Sequence, residues 1–160
     1  MATGDNNDGL WAPRPVFDSI LQYTVIATFD LILESPDGVL LVRRRIEPYR
    51  GSWALPGLRM LKGETINGCI QRIALTEVGC RINPERKVFV NQAVGRFRSQ
   101  QHRQDISTCY AFQLDDKKIE LNNTNLSGWM FIEDLESAPK GLGGLYREHL
   151  THYFARLQSP

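Results

Sequence analysis

GLRMLKGETINGCIQRIALTEVGC, residues 57–80, is a loop that turns into a helix. A strand-like run ends just before it at Trp53-Ala54-Leu55-Pro56, and a polar loop opens the helix at about Thr65. Val78-Gly79 closes it, with glycine where a left-handed C-terminal cap is wanted. At about 100° per residue, Ile73, Thr76 and Glu77 share one sector, while Glu64 and Arg72 share another. Glu64 at the mouth of the helix therefore reaches Arg72 about two turns on and pins the loop to the helix. Glu77 points elsewhere, toward the backbone carbonyls of the loop, where a hard cation could sit.

The composition of the whole chain is that of an ordinary globular protein. One hundred and sixty residues suit one domain with a single core, and 42% hydrophobic with 23% charged residues is average. A net charge of +1 gives no reason to expect nucleic acid or an anionic membrane as partner. No apolar run approaches the ~20 residues of a membrane span. The polar leader MATGDNNDG, residues 1–9, reads as disordered and resembles no targeting signal, leaving 10–160 as one domain. Three scattered cysteines, Cys69, Cys80 and Cys109, make neither a disulfide framework nor a zinc site, and favour a reducing, cytoplasmic setting.

Taken in order, VFDSILQYT after Pro15 spaces Phe17, Ile20 and Leu21 for a short helix. VIATFDLILESPDGVLLVRRR is two β-rich runs around a Ser-Pro-Asp-Gly turn, a hairpin signal. Residues 88–98 and 106–114 read as a strand pair joined by a polar loop, SQQHRQD. Lys118–Leu121 reads as a short strand and Trp129–Ile132 as another, with Trp129 in the core. A stripe from Leu142 to Leu157 closes the chain as a helix. Strands mixed with helices that must cover two sheet faces predict an α/β/α sandwich with a mixed sheet.

The 57–80 segment resembles the signature of Nudix hydrolases, G-x5-E-x7-R-E-U-x-E-E-x-G-U. Its first glycine falls on Leu58, with Gly57 supplying the preceding one; Glu64, Arg72, Glu77 and Gly79 match. Two carboxylate positions fall instead on Ile73 and Thr76. A box with this depletion, preceded by RRRIEPYRGSWALPG, is most similar to the GDP-mannose mannosyl hydrolase branch.

That resemblance implies a Mg²⁺-dependent enzyme (Mn²⁺ as substitute) releasing GDP from GDP-mannose or GDP-glucose. With a single remaining helix carboxylate, attack would fall on the anomeric carbon and GDP would leave. It further implies Glu77 and the Gly57 carbonyl as metal ligands, Asp30 beside the sugar, Arg59 assisting the leaving group, and Arg45 and Tyr110 on the phosphates. Arg43 and Arg44 compete with Arg45, because a slip of one residue on a strand exchanges faces. The branch's Gln-His pair falls on Asn123-Thr124: Asn123 could offer an oxygen to the cation, but Thr124 is no base near neutral pH. His102 or Asp105 are the substitute bases. His149 and His152 on the closing helix read as structural. The branch also implies a homodimer. Two other readings remain open: a pyrophosphatase attacking phosphorus, and a catalytically weak nucleotide-binding module.

Overall fold

The computed structural model describes residues 11–47, 49–97, 100–115 and 118–159; the leader expected at 1–9 lies outside them. In chain order come α1 (Arg14–Tyr23), β1 (Val25–Ser35), β2 (Gly38–Arg44), β3 (Trp53–Ala54), β4 (Gly57–Arg59), α2 (Ile66–Val78), β5 (Val88–Phe97), β6 (Gln100–Gln113), β7 (Leu126–Ile132) and α3 (Gly144–Leu157).

The strands form one mixed sheet ordered β3-β2-β1-β6-β5, with β4 also on β1 and β7 also on β2. β1 is its axis. It runs parallel to β6 from Val25↔Gln104 to Glu34↔Gln113, and antiparallel to β4 through Thr28↔Arg59, Phe29↔Leu58 and Asp30↔Gly57. Because side chains alternate along a strand, Thr28 and Asp30 share a face with Arg59, Asp105 and Ser107. Phe29, Leu31 and Leu33 take the other face. The first face meets α3 and the second is covered by α2, whose Ile70, Ile73 and Ala74 are fully buried in the same core cluster. This is the α/β/α sandwich expected from the sequence, closed by a C-terminal helix.

Helix α2 keeps its sequence-predicted bounds for the expected reasons. The Thr65 hydroxyl accepts from the Gly68 N–H at 3.0 Å as N-cap. Gly79 sits at φ 69°, and the Gly79 and Cys80 N–H groups return to Leu75 and Ala74.

Three expectations are corrected. The loop placed at 99–105 is strand from Gln100 onward: this end of the β5–β6 hairpin is a polar ladder, with Arg96 opposite Gln104 and Gly95 opposite Asp105. Lys118–Leu121 is not a strand. Its backbone serves the end of α2, the Glu120 N–H donating to Val78 O and the Asn122 N–H to Glu77 O, which satisfies carbonyls a helix terminus leaves open. Trp129 is not core; it is 46% exposed and packs edge-on against Phe131.

Candidate active site

The sandwich leaves a cleft of about 530 Å³ walled by α1, the β1–β4 pair, the end of β2 and the start of β6. Five arginines line it, Arg14, Arg44, Arg50, Arg59 and Arg103, together with the aspartates Asp30 and Asp105. Such a surface suits an anion of more than one charge bearing hydroxyl groups beside it.

Arg59 projects from β4 and lies over two rings of the N-terminal segment, 4.7 Å from the Trp11 centroid and 4.2 Å from that of Phe17. Burial lowers its pKa, and the like charges of Arg103 and Arg72 lower it further. No carboxylate of the described residues pairs with it, so a bound phosphate would relieve this repulsion. Arg103 is held differently: it stacks on Phe97 and grips Asp105 with two bonds of 2.9 Å. Burial nevertheless raises the Asp105 carboxyl above its usual range, Arg103 opposing.

Asp30 comes from the middle of β1, only 5% exposed, at the back of the cleft. Gly57 faces it across the ladder so closely that a Cβ would lie 2.0 Å from Asp30 Oδ1 and 2.7 Å from Phe29 O. Asp30 Oδ2 accepts the Ser107 hydroxyl, and Ser107 Oγ is 3.0 Å from His149 Nε2.

The α2 side has one carboxylate. Glu77 is 3% exposed, and its Oε1 accepts from the side chains of Asn125 at 3.1 Å and Asn122 at 3.5 Å. Burial raises its pKa; the Asn125 amide, then the Arg44 charge, oppose this. Glu77 does not line the cleft, but Arg44 does, and its charge acts on Glu77 and on Asp105 alike. Glu64 and Arg72 form the expected ion pair; Glu64 also accepts the Leu61 N–H at 2.8 Å, and Arg72 donates to Arg59 O at 2.9 Å. The box loop is thereby tied to α2. Ile73 is fully buried, and Thr76 is exposed with its hydroxyl donating back to Arg72 O.

The donor chemistry between α2 and β4 fits a sparse site for a divalent cation. Both amide bonds to Glu77 go to Oε1, leaving Oε2 as an acceptor. Gly57 pairs with β1 at a position between the bonded pairs, since Leu31 N–H goes to Pro56 O and Met60 N–H to Ala27 O, so its carbonyl is outside the ladder. Among the described residues no three His, Cys, Asp or Glu side chains group as a metal cluster. Mg²⁺ commonly takes one or two protein carboxylates and completes its shell with water and phosphate.

Several sequence-predicted site residues stand elsewhere. Arg44, not Arg45, lines the cleft: it is the last residue of β2, and Arg45 beyond it is exposed with its N–H on Asn125 O. Tyr110 is opposite Leu31 in the register, so it lies on the other face from Asp30 and stacks with Phe29. Asn123 is exposed, and the amides that reach Glu77 are those of Asn122 and Asn125. His102 is exposed on β6 against Arg14 and Gln22 of α1, outside the cleft, whereas Asp105 lines it. The sequence reading missed Trp11, Arg103, Ser107 and the contact of His149 with Asp30. For Arg103, Asp105 and Ser107 a signal was present, since they alternate along one strand.

A model of the NUDIX domain matches residues 25–152. The chain is similar to the low-salt glycan biosynthesis protein Agl8 of Haloferax volcanii, 27% identical over 116 residues that cover 69% of this chain and 72% of that one. It is also similar to the 8-oxo-dGDP phosphatase NUDT18 of Homo sapiens, 40% identical over 70 residues, or 44% of this chain and 21% of that one. A MutT NUDIX hydrolase from Burkholderia pseudomallei superposes with a TM-score of 0.72 at 15% identity, covering 81% of this chain and 98% of that one. The NUDIX domain of Shewanella oneidensis NrtR, complexed with ADP ribose, gives 0.69 at 16% identity, covering 95% and 97%. These two structures share the fold.

Proposed function

The chain belongs to the Nudix family, and we propose that within it this protein hydrolyses a nucleotide sugar, GDP-mannose or GDP-glucose, to GDP and free sugar. The observation that carries this reading is the helix face of the box. Two of its carboxylate positions hold a core isoleucine, Ile73, and an outward-facing threonine, Thr76, leaving Glu77 alone. Agl8, a glycan biosynthesis protein by its description, supports a nucleotide-sugar role.

Glu77 and the Gly57 carbonyl would hold one Mg²⁺ (or Mn²⁺), with Asn122 and Asn125 orienting the carboxylate in place of the expected Asn123. When bound, the cation would neutralise charge on the departing diphosphate. Arg59 and Arg44 bind the same phosphates, Arg44 taking the part first given to Arg45. Asp30 accepts a hydroxyl of the sugar. Water attacks the anomeric carbon, the carbon–oxygen bond to GDP breaks, and the water's proton passes to Asp105, which replaces His102 as the base. Its raised carboxyl suits that task better than an ordinary aspartate.

The phosphorus-attacking reading draws on the 8-oxo-dGDP phosphatase likeness. Products separate the two: GDP plus sugar, or a nucleoside monophosphate plus sugar phosphate. In ¹⁸O-water the label should enter the sugar, and label in phosphate overturns the proposal. Stabilisation by nucleotide sugars without turnover, in wild type and Glu77→Gln alike, would make it a binding module. We further propose a homodimer built on α1, which exposes Val16 and Tyr23, to be tested by sedimentation. The three cysteines are free and buried, which suits the proposed cytoplasmic setting. Among the described residues no helix is long and apolar enough to cross a membrane.

A further inference from the structure

Behind the cleft, on the face of β1 that meets α3, four polar side chains touch in series. Asn91 Nδ2 on β5 is 3.4 Å from His149 Nδ1, His149 Nε2 is 3.0 Å from Ser107 Oγ, and the Ser107 hydroxyl donates to Asp30 Oδ2. His149 and Ser107 are fully buried, and Asp30 nearly so. A buried imidazole costs free energy unless both nitrogens are satisfied; here Nδ1 faces Asn91, and Nε2 faces Ser107 at hydrogen-bond distance with Asp30 Oδ2 farther off at 3.6 Å.

The donors and acceptors can be ordered consistently. Asp30 as carboxylate has no proton to give, so Ser107 must donate to it, as the geometry has it. Ser107 Oγ is then left as acceptor toward His149, which must carry its proton on Nε2. Nδ1 becomes an acceptor, and the Asn91 amide supplies the proton for it. Every bond in the series points toward Asp30, and each polarises the next. Oδ2 is thus committed to the protein interior. Oδ1, the atom that a Gly57 side chain would strike, is the oxygen beside Gly57, and Asp30 and Gly57 both line the cleft.

We propose that His149, through Ser107, is a positioning residue for Asp30: it fixes the carboxylate rotamer and presents Oδ1 to a hydroxyl of the sugar. The substrate half of this inference rests on the nucleotide-sugar reading; the hydrogen-bond order does not. It accounts for a histidine buried in a helix stripe that packing alone would fill with leucine.

The experiment has two arms. In the first, titration calorimetry with GDP and with GDP-mannose is run on wild type, Ser107→Ala, Asp30→Asn and the double variant. Ser107→Ala should weaken GDP-mannose roughly tenfold or more, as for loss of a hydrogen bond to a charged group, and leave GDP unchanged. In the Asp30→Asn background the same change should have little further effect, because the two act as one unit. Equal losses on both ligands, or full additivity, overturn the proposal. The second arm needs no ligand: ¹⁵N spectra of the imidazoles should show His149 carrying its proton on Nε2 with Nδ1 as acceptor, and a shifted Nε2 resonance in Ser107→Ala. A proton on Nδ1, or no response to Ser107→Ala, overturns the hydrogen-bond order. Wild type that binds neither nucleotide while the second arm succeeds refutes the substrate reading alone. Ser107→Ala removes only one oxygen, so it keeps the test available if His149→Leu fails to fold.

Discussion

Glu77 is a carboxylate inside a protein with two amides and the charge of Arg44 to steady it. Its pKa is raised, so the folded chain holds that proton more readily than the unfolded chain does. Its contribution to stability is therefore present below the unfolded value of about 4.3 and is lost as pH rises through the folded value. Glu77→Gln should melt higher than wild type at pH 7 without added cation, and the gap should close below about pH 4. Mg²⁺ should raise the wild-type melting temperature and leave the variant unmoved. In turnover the variant should lose more than Asn125→Ala, for which removal of a ligand-orienting group suggests about 10–100-fold. Calorimetric melts across pH, with and without Mg²⁺, read the first two outcomes and steady-state rates the third. At Gly57 the obstacle is steric. Gly57→Ala would drive a methyl into Asp30 Oδ1 and Phe29 O, so destabilisation of about 1–3 kcal/mol, measured by urea unfolding, should accompany weakened sugar binding.

Elements carry the next set of effects. The box loop is held to α2 by Glu64, which burial pushes up in pKa but which the Arg72 bonds and the Leu61 N–H bring below its usual range. The sign is opposite to that of Glu77: this contribution is complete above about pH 4.3 and is lost as pH falls through the folded value. Glu64→Gln should flatten the acid limb of the stability profile, as followed by circular dichroism. Helix α1 acts through its rings. Phe17→Ala removes one of the two faces on which Arg59 rests, worth about 0.5–2 kcal/mol of cation–π attraction, and should weaken GDP binding while leaving the α2 ion pair intact. Much at this scale was legible beforehand. Thr65 and Gly79 announced the ends of α2 because caps are local chemistry. Lys118–Leu121 misled because its alternating Ile119 and Leu121 look like a strand, although the N–H of Glu120, and of Asn122 just after it, goes to the end of α2. The start of β6 misled because a hairpin end needs no apolar residues to keep its ladder. Arg44 could not be separated from Arg43 and Arg45 because three successive arginines leave the end of β2 unmarked, and Tyr110 was misplaced by a face assignment that depends on the β1–β6 register.

For the molecule as a whole, one core cluster joins residues from both faces of the sheet, Ile70 and Leu150 among them. Urea unfolding should therefore be a single transition, with tryptophan fluorescence and far-ultraviolet dichroism coinciding; two separated transitions would show that the sandwich comes apart in layers. The α/β/α architecture was readable because it follows from element order. The cleft was only half readable, because its walls are brought together by long-range pairing. His149 in particular has, as a letter in a helix stripe, the same appearance as a histidine that does nothing. The parallel seam between β1 and β6 has a consequence for synthesis. Ser107 follows Asp30 by 77 positions and His149 follows Ser107 by another 42, so a growing polypeptide exposes an aspartate in an apolar strand long before its companions leave the ribosome. Arrested nascent chains that stop short of α3 should therefore be cut by proteases that spare the finished protein.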